Sequence, residues 1–220
     1  YLSVHGKDRW HAYAVSDPYD TEPYKLTIRE KTGPWIPVCS DPPTSGDLPV
    51  YDWGGTDADL VHARQHTLDV KFKGLTMTTS DRIDFAVVTD SLLWVNLALY
   101  PTLRVDSVRI PGVGQVEFFR PDKSYGLWVR LPRTYKRGET FELVLNYHGD
   151  MVKRYRDYTW LESSITWYAA HNYKVPSFFD ITFQHEKRYT LASVGDRTSI
   201  SEDDGIVTQR WVSGRLIRNA

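Results

Sequence analysis

From His66 to Asp150 the chain is a succession of short runs in which apolar and polar residues alternate, each run closed by turn formers. The runs are HTLDVKFKG, LTMTTS, RIDFAVVTD, LLWVNLALY, LRVDSVRI, GQVEFFR, YGLWVRLP and TFELVLNYHG. Leu103-Arg104-Val105-Asp106-Ser107-Val108-Arg109-Ile110 is typical. A period of two puts one face of a strand on a core and the other in water. Thr89-Asp90-Ser91, Pro111-Gly112-Val113-Gly114, Pro121-Asp122-Lys123-Ser124 and Lys136-Arg137-Gly138-Glu139 punctuate the runs with residues that favour turns. Short strands at this spacing predict an all-β fold: an antiparallel β-sandwich or an open, saddle-like sheet.

Beyond Asp150, Met151 to Asp157 is charged and reads as a connection. Strand-like runs resume as DYTWLE, SITWYAA, FFDITFQ, RYTLASVGD, TSISE and GIVTQRWV, so a second sheet is assigned to residues 158–213. Glu202-Asp203-Asp204-Gly205 has the composition of a hairpin turn. Before His66 the texture changes. WHAYAVS (10–16) and YKLTIRE (24–30) read as strands among clusters of Pro, Gly and Ser, such as Ser40 to Asp47. Residues 1–60 are therefore expected to form a small irregular β appendage packed on a main domain of residues 61–220. Thr56 to His66 is the one helix candidate: Thr56 serves as N-cap, and Asp57 and Asp59 favour the positive end of the dipole.

Composition adds limits. A net charge of -1 over 220 residues does not advertise nucleic acid or an anionic membrane as partner. No apolar run approaches the roughly 20 residues of a membrane helix. One cysteine, Cys39, excludes an internal disulfide and a four-cysteine zinc site but does not assign a compartment. The chain opens on Tyr1, so either a leader has been removed or it is a piece of a longer protein, and a periplasmic or secreted setting is favoured over a cytoplasmic one. The 8 Trp and 14 Tyr are the unusual feature. Large aromatics fill sandwich cores, whereas an exposed row of rings stacks on sugars or peptides.

Candidate chemistry is sparse. His62 and His66, at i and i+4 on the helix candidate, share a face and with Asp57 or Asp59 make a metal site conceivable; the plain reading is two solvated histidines near a helix end. Ser163, Ser164, His171 and Asp180 supply the residue types of a hydrolase triad without the Gly-x-Ser-x-Gly turn that would carry one. Glu202 to Gly205 lacks the spaced oxygens of a calcium loop. Trp167 and Tyr168, with Trp160 and Trp94 nearby in kind, form the constellation to watch. As strand neighbours they face opposite sides, one to the core and one to an interdomain or ligand contact.

Several passages resemble the N-terminal β domain of the aminopeptidase N family of zinc metallopeptidases. HTLDVKFKG is similar to its opening strand, and VNLALYPTLRVDSVRI with GQVEFFR to its paired strands about a short turn. LWVRLPRTYKRGETFELVLNYHGD resembles its passage from a Leu-Pro step through a Gly-Glu turn into a strand ending Tyr-x-Gly. SSITWYAAHNYKVPSFFDITFQHEKRYTLASVGD resembles the later stretch with a Trp-Tyr pair, a Phe-Asp strand and an Ala-Ser-x-Gly turn, and GIVTQRWVSG the closing hairpin. The resemblance spans about residues 65–213. The family's catalytic His-Glu-x-x-His is absent: His185-Glu186 is followed by Lys187-Arg188-Tyr189. The substrate loop Gly-x-Met-Glu-Asn is absent too, and nothing in 158–171 matches the family's Gln or Glu for a substrate amino terminus. The resemblance thus implies a non-catalytic domain that holds no catalytic or metal residue. Its partner would be a downstream peptidase domain of the same polypeptide, and zinc is expected only there. The alternative is a free-standing β-sandwich binding module for carbohydrate or protein; a self-sufficient hydrolase is the third reading. A flat row of exposed rings would favour the module, and one continuous patch near the C-terminal end would favour docking.

Overall fold

The computed structural model describes residues 2–5, 10–15, 25–30, 36–40, 60–120, 125–161, 166–171, 176–217 and 220. The chain divides into two units, Tyr1–Asp59 and Leu60–Ala220. In the first, four strands follow one another as an antiparallel meander: β1 (Leu2–His5), β2 (Trp10–Val15), β3 (Lys25–Glu30) and β4 (Ile36–Ser40). Their backbone order matches the two strand runs read there and adds β1 and β4.

The second unit begins with β5 (Val61–Lys73), β6 (Thr76–Val87), β7 (Leu92–Ala98), β8 (Arg104–Ile110), β9 (Gly114–Gln115) and β10 (Phe118–Phe119). It continues with β11 (Gly126–Tyr135), β12 (Thr140–Asp150), β13 (Lys153–Tyr155), β14 (Tyr158–Trp160), β15 (Phe178–Glu186), β16 (Asp196–Asp203) and β17 (Ile206–Val212). Eight of these form one sheet in the order β16-β17-β15-β5-β6-β12-β8-β9. A second sheet has the order β10-β11-β7, and among the described residues β13 pairs only with β14. The core joins inward residues of both larger sheets, among them Leu68, Ile83, Phe85, Leu97, Leu127, Leu131, Leu145 and Tyr147. The fold is all-β and sandwich-like, with no helix long and apolar enough to cross a membrane among the described residues.

The strand pairing is antiparallel except at one junction. β15 lies parallel to β5, Phe179 opposite His66 and Phe183 opposite Val70. A parallel pair cannot be closed by a tight turn. Here the whole meander intervenes between the two strands, so β15, β16 and β17 extend the sheet of β5 and β6, and the expectation of a second sheet over residues 158–213 is corrected.

Three further expectations are corrected. The segment read as the end of a helix is strand: β5 starts at Val61, and the described part of 56–66 contains no helical turn. The cause is a β-bulge between Ala63 and Gln65 in the pairing with β6. Val61 and Ala63 face the core before it, and His66, Leu68 and Val70 after it. One extra residue re-phases the period of two, and the sequence then no longer reads as a strand. Met151 to Asp157 is not merely a connection, since Lys153–Tyr155 is β13. Conversely, Arg188 to Gly195 is not strand; the strand begins at Asp196.

Turn chemistry follows the sequence where it is described. Asp204 and Gly205 both have positive φ, 45° and 73°, which joins β16 to β17 by a two-residue turn of the kind Asp-Gly favours. Pro132 sits within the irregularity of β11 between Arg130 and Tyr135, where a missing N–H costs no ladder bond. The turn read at Pro121 to Ser124 lies outside the described residues.

Candidate functional site

The chemistry-bearing side chains divide into a sealed cluster inside the core and an open pocket at one end of the sheet. The sealed cluster starts from β5 and β6. His66, 2% exposed, donates from Nδ1 to Asp81 Oδ1 at 3.1 Å, and Asp81 is fully buried. With a carboxylate as acceptor, Nδ1 carries the ring proton. Asp81 Oδ2 accepts the backbone N–H of Ala169 at 3.2 Å. The imidazole lies flat on Phe179, with centroids 5.0 Å apart and planes 6° apart, and meets the edge of Tyr168 at 5.1 Å. A buried polar pair survives when its donors and acceptors are met, and this one ties the segment 166–171 to the sheet.

That segment carries Trp167 and Tyr168, and both are buried, at 2% and 4% exposure. The expectation of one ring on each side of a strand is corrected. Residues 166–169 form a bend rather than a strand, with a single bridge from Ala170 to Ala98, so no alternation separates the two rings. Trp167 Nε1 donates to the Ala220 carbonyl at 2.8 Å, and the Ala220 backbone also bonds the Tyr168 hydroxyl. Burial pushes the Tyr168 phenol up to about 12; the bond from Ala220 pulls the other way, and the Asp81 charge adds to the rise. Tyr147, wholly enclosed beside the same carboxylate, is pushed well above the ordinary tyrosine range, by burial first and Asp81 second.

The open pocket, of about 350 Å³, is lined by several pieces of chain, with Val152, Trp167 and Ala220 among the lining residues. The tip of β5–β6 contributes Phe72 and Gly74, and β14 with its continuation contributes Thr159, Trp160 and Leu161. The end of β15 contributes Phe183, His185 and Glu186, and the loop 189–194 closes the far side. Gly74 has a φ of 63°, which lets this hairpin turn in two residues. Phe72 and Phe183 stack at 6.0 Å, and Trp167 packs against Phe183 at 6.5 Å, so part of the wall is aromatic. His185 donates from Nδ1 to the Glu186 carbonyl at 2.9 Å and faces the Gln209 side-chain amide through Nε2 at 2.9 Å. Both ring nitrogens are engaged. The Glu186 carboxylate pairs with Arg188 at 2.8 Å.

At the mouth stands the β13–β14 hairpin, every residue from Lys153 to Trp160 exposed. Tyr155, Tyr158 and Trp160 run along it with centroids 5.9 and 5.4 Å apart. Their planes are inclined by 63° and 37°, so the rings do not form a flat platform. Trp160 belongs to both the row and the pocket. Sequence reading noted Trp160 but passed over Tyr155 and Tyr158. The available signal was the Arg156-Asp157 step between two aromatic triplets, and Arg156 has the positive φ (52°) of a tight turn.

The other candidates are dispersed. His62 faces away from the core and His66 into it, and four residues of strand separate them by about 13 Å, so they share no ion. Asp57 and Asp59 lie outside the described residues, as do Ser163 and Ser164. His171 bonds the Asn96 carbonyl at 2.8 Å, while Asp180 is held by Arg210 through two bonds of 2.8 and 2.6 Å. Trp94 is a core residue of β7. Among the described residues no three His, Cys, Asp or Glu side chains are grouped as a metal would require, and the bonded imidazole of His185 does not fit a zinc ligand.

Solved structures share this fold. One is a two-domain M1 zinc metallopeptidase mutant bound to L-tryptophan, with a TM-score of 0.65 and 16% identity over 76% of this chain and 43% of that one. The M1 zinc metallopeptidase from Deinococcus radiodurans matches with a TM-score of 0.63 and 17% identity, over 71% of this chain and 40% of its own. A mutant of the Deinococcus radiodurans enzyme gives 0.63 and 17%, over 76% and 42%. The likeness is one of fold. The chain spans about two fifths of those proteins. No protein-family model matches it, and no curated protein does.

Proposed function

We propose that this chain is the non-catalytic N-terminal β domain of an aminopeptidase N-like, M1-type zinc metallopeptidase. It packs on a separate peptidase domain of the same polypeptide and restricts access to that domain's cleft. One observation carries the reading: three quarters of the chain superposes on part of a two-domain M1 zinc metallopeptidase at a TM-score of 0.65. The sequence supports it from the other side, since the order of its strand runs resembles that of such a domain and it lacks His-Glu-x-x-His. Zinc and the water it activates belong, on this reading, to the partner domain. The contribution of this chain is shape: a sandwich ending in a partly apolar pocket and an exposed aromatic row, of the kind that marks an interaction surface.

The carbohydrate-binding module is the weaker reading because the three exposed rings are inclined to one another, and a sugar chain stacks on coplanar faces. The test is the mass of the native protein, probed in lysate of its source with an antibody to this chain. A species well above 25.5 kDa with zinc-dependent aminopeptidase activity is expected. A native species of 25.5 kDa would overturn the proposal.

A further inference from the structure

The β13–β14 hairpin should not stand alone. A two-stranded hairpin is marginal in water by itself, and among the described residues this one has no third strand, while every residue from Lys153 to Trp160 is exposed. Yet it carries Tyr155, Tyr158 and Trp160 at 51, 59 and 37% exposure, which is costly unless something covers them. Its charge is one-sided as well: Lys153, Arg154 and Arg156 against Asp157 alone. Arg156 lies over the Tyr155 ring at 5.2 Å, and among the described residues neither Arg154 nor Arg156 is in an ion pair. Beneath Trp160 opens the pocket floored by Trp167 and walled by Phe72, Leu161, Phe183 and Leu191. At about 350 Å³ it is at the small end of ligand sites, the size for one or two side chains rather than a cofactor. Its carboxylate, Glu186, is neutralised by Arg188.

We infer that this end of the domain is a binding site for an acidic peptide segment with an aromatic or aliphatic anchor. The anchor enters the pocket under Trp160, and the flanking carboxylates meet Arg154 and Arg156. The division of labour is the usual one at interfaces: a buried apolar anchor supplies affinity, while surrounding charges supply steering and selectivity. Single-stranded nucleic acid and anionic lipid also pair with basic and aromatic side chains, but neither needs an enclosed apolar pocket beside the rings. The inference deepens the docking reading by naming the chemistry of the docked surface, and it rests on that reading only for the origin of the peptide.

The test titrates the 220-residue chain against fluorescein-labelled synthetic peptides, followed by anisotropy. One peptide has Trp-Leu flanked by Glu and Asp, a second has those acids replaced by Lys, and a third has Trp-Leu replaced by Ala-Ala. The expected result is saturable binding of the first, at least about tenfold weaker binding of the other two, and weakening as salt rises from about 50 to about 500 mM. Trp160→Ala, and separately the pair Arg154→Ser with Arg156→Ser, each lower affinity about tenfold while the thermal midpoint stays in place. Equal binding of all three peptides, or variants that bind like the parent, would overturn the site. Competition by oligo-dT or phosphatidylserine vesicles at lower concentration than the acidic peptide would also overturn it, in favour of those partners. A native mass of 25.5 kDa with peptide binding intact removes the peptidase reading and keeps this site, and the reverse pattern moves docking to another face.

Discussion

Asp81 is the residue on which most of the buried polar chemistry converges. It accepts from His66 and from the Ala169 N–H with no exposure to water, and its charge contributes to holding two phenols neutral. Removing one member of such a set leaves the others desolvated and unpaired. Asp81→Ala is therefore expected to cost about 3 kcal/mol or more in urea unfolding, because two buried donors lose their acceptor. A loss under about 1 kcal/mol would mean that the pair is not the organising contact described here. In the run Thr79-Ser80-Asp81-Arg82 alternation places this carboxylate inward, but its partners come from elsewhere: His66 on β5 and the Ala169 N–H of the packed segment 166–171.

At the scale of elements, β6 and β12 contrast with β13 and β14. β12 pairs with β6 over eleven residues and with β8 on its other edge, and its inward side chains are nearly all buried. β13 and β14 share three residue pairs and contribute no residue to the buried core. Local opening free energies follow buried contact, so amide hydrogens of 153–160 are expected to exchange within the dead time of a manual experiment, while those of 143–147 exchange only on global unfolding. Mass spectrometry of peptic fragments reads both, and slow exchange in the hairpin of the isolated chain would contradict the account of it as an uncovered element. β15, with clean alternation, was legible from its residues, whereas β6 joins into one strand the two runs read as LTMTTS and RIDFAVVTD. Of β5, the part from His66 was legible and Val61–Gln65 was not, because the bulge at Ala63–Gln65 hides the period there.

For the whole molecule, the enclosed phenols of Tyr147 and Tyr168 set an alkaline limit. Both have folded-state pKa values above the ordinary value near 10 that the unfolded chain would show. A raised folded pKa means that the folded state holds its proton where the unfolded state has released it. Stability from these groups is complete below about pH 10 and is lost as pH rises through about 12, where Tyr168 would ionise in place. The urea midpoint should hold steady up to about pH 9.5 and fall beyond pH 10. In a spectrophotometric titration these two of the 14 tyrosines should ionise only with unfolding. Tyr168→Phe, which has no phenol to ionise, should flatten part of that decline.

The sequence by itself determined what depends on neighbours along the chain. Period-two patterning dictated strands with one wet and one dry face, Asp204-Gly205 dictated a tight hairpin, and the missing His-Glu-x-x-His removed that catalytic motif from this chain. Tertiary structure decided what depends on residues far apart in sequence. It set β15 parallel to β5, turned His66 inward to Asp81, and buried both Trp167 and Tyr168 against Ala220. It also brought Phe72, Trp160 and Phe183 around one pocket. The physical reason is that alternation specifies a face but not a partner. Partners are chosen when sheets close on a common core, and this core closes only after the last third of the chain has returned to the first strand of the domain.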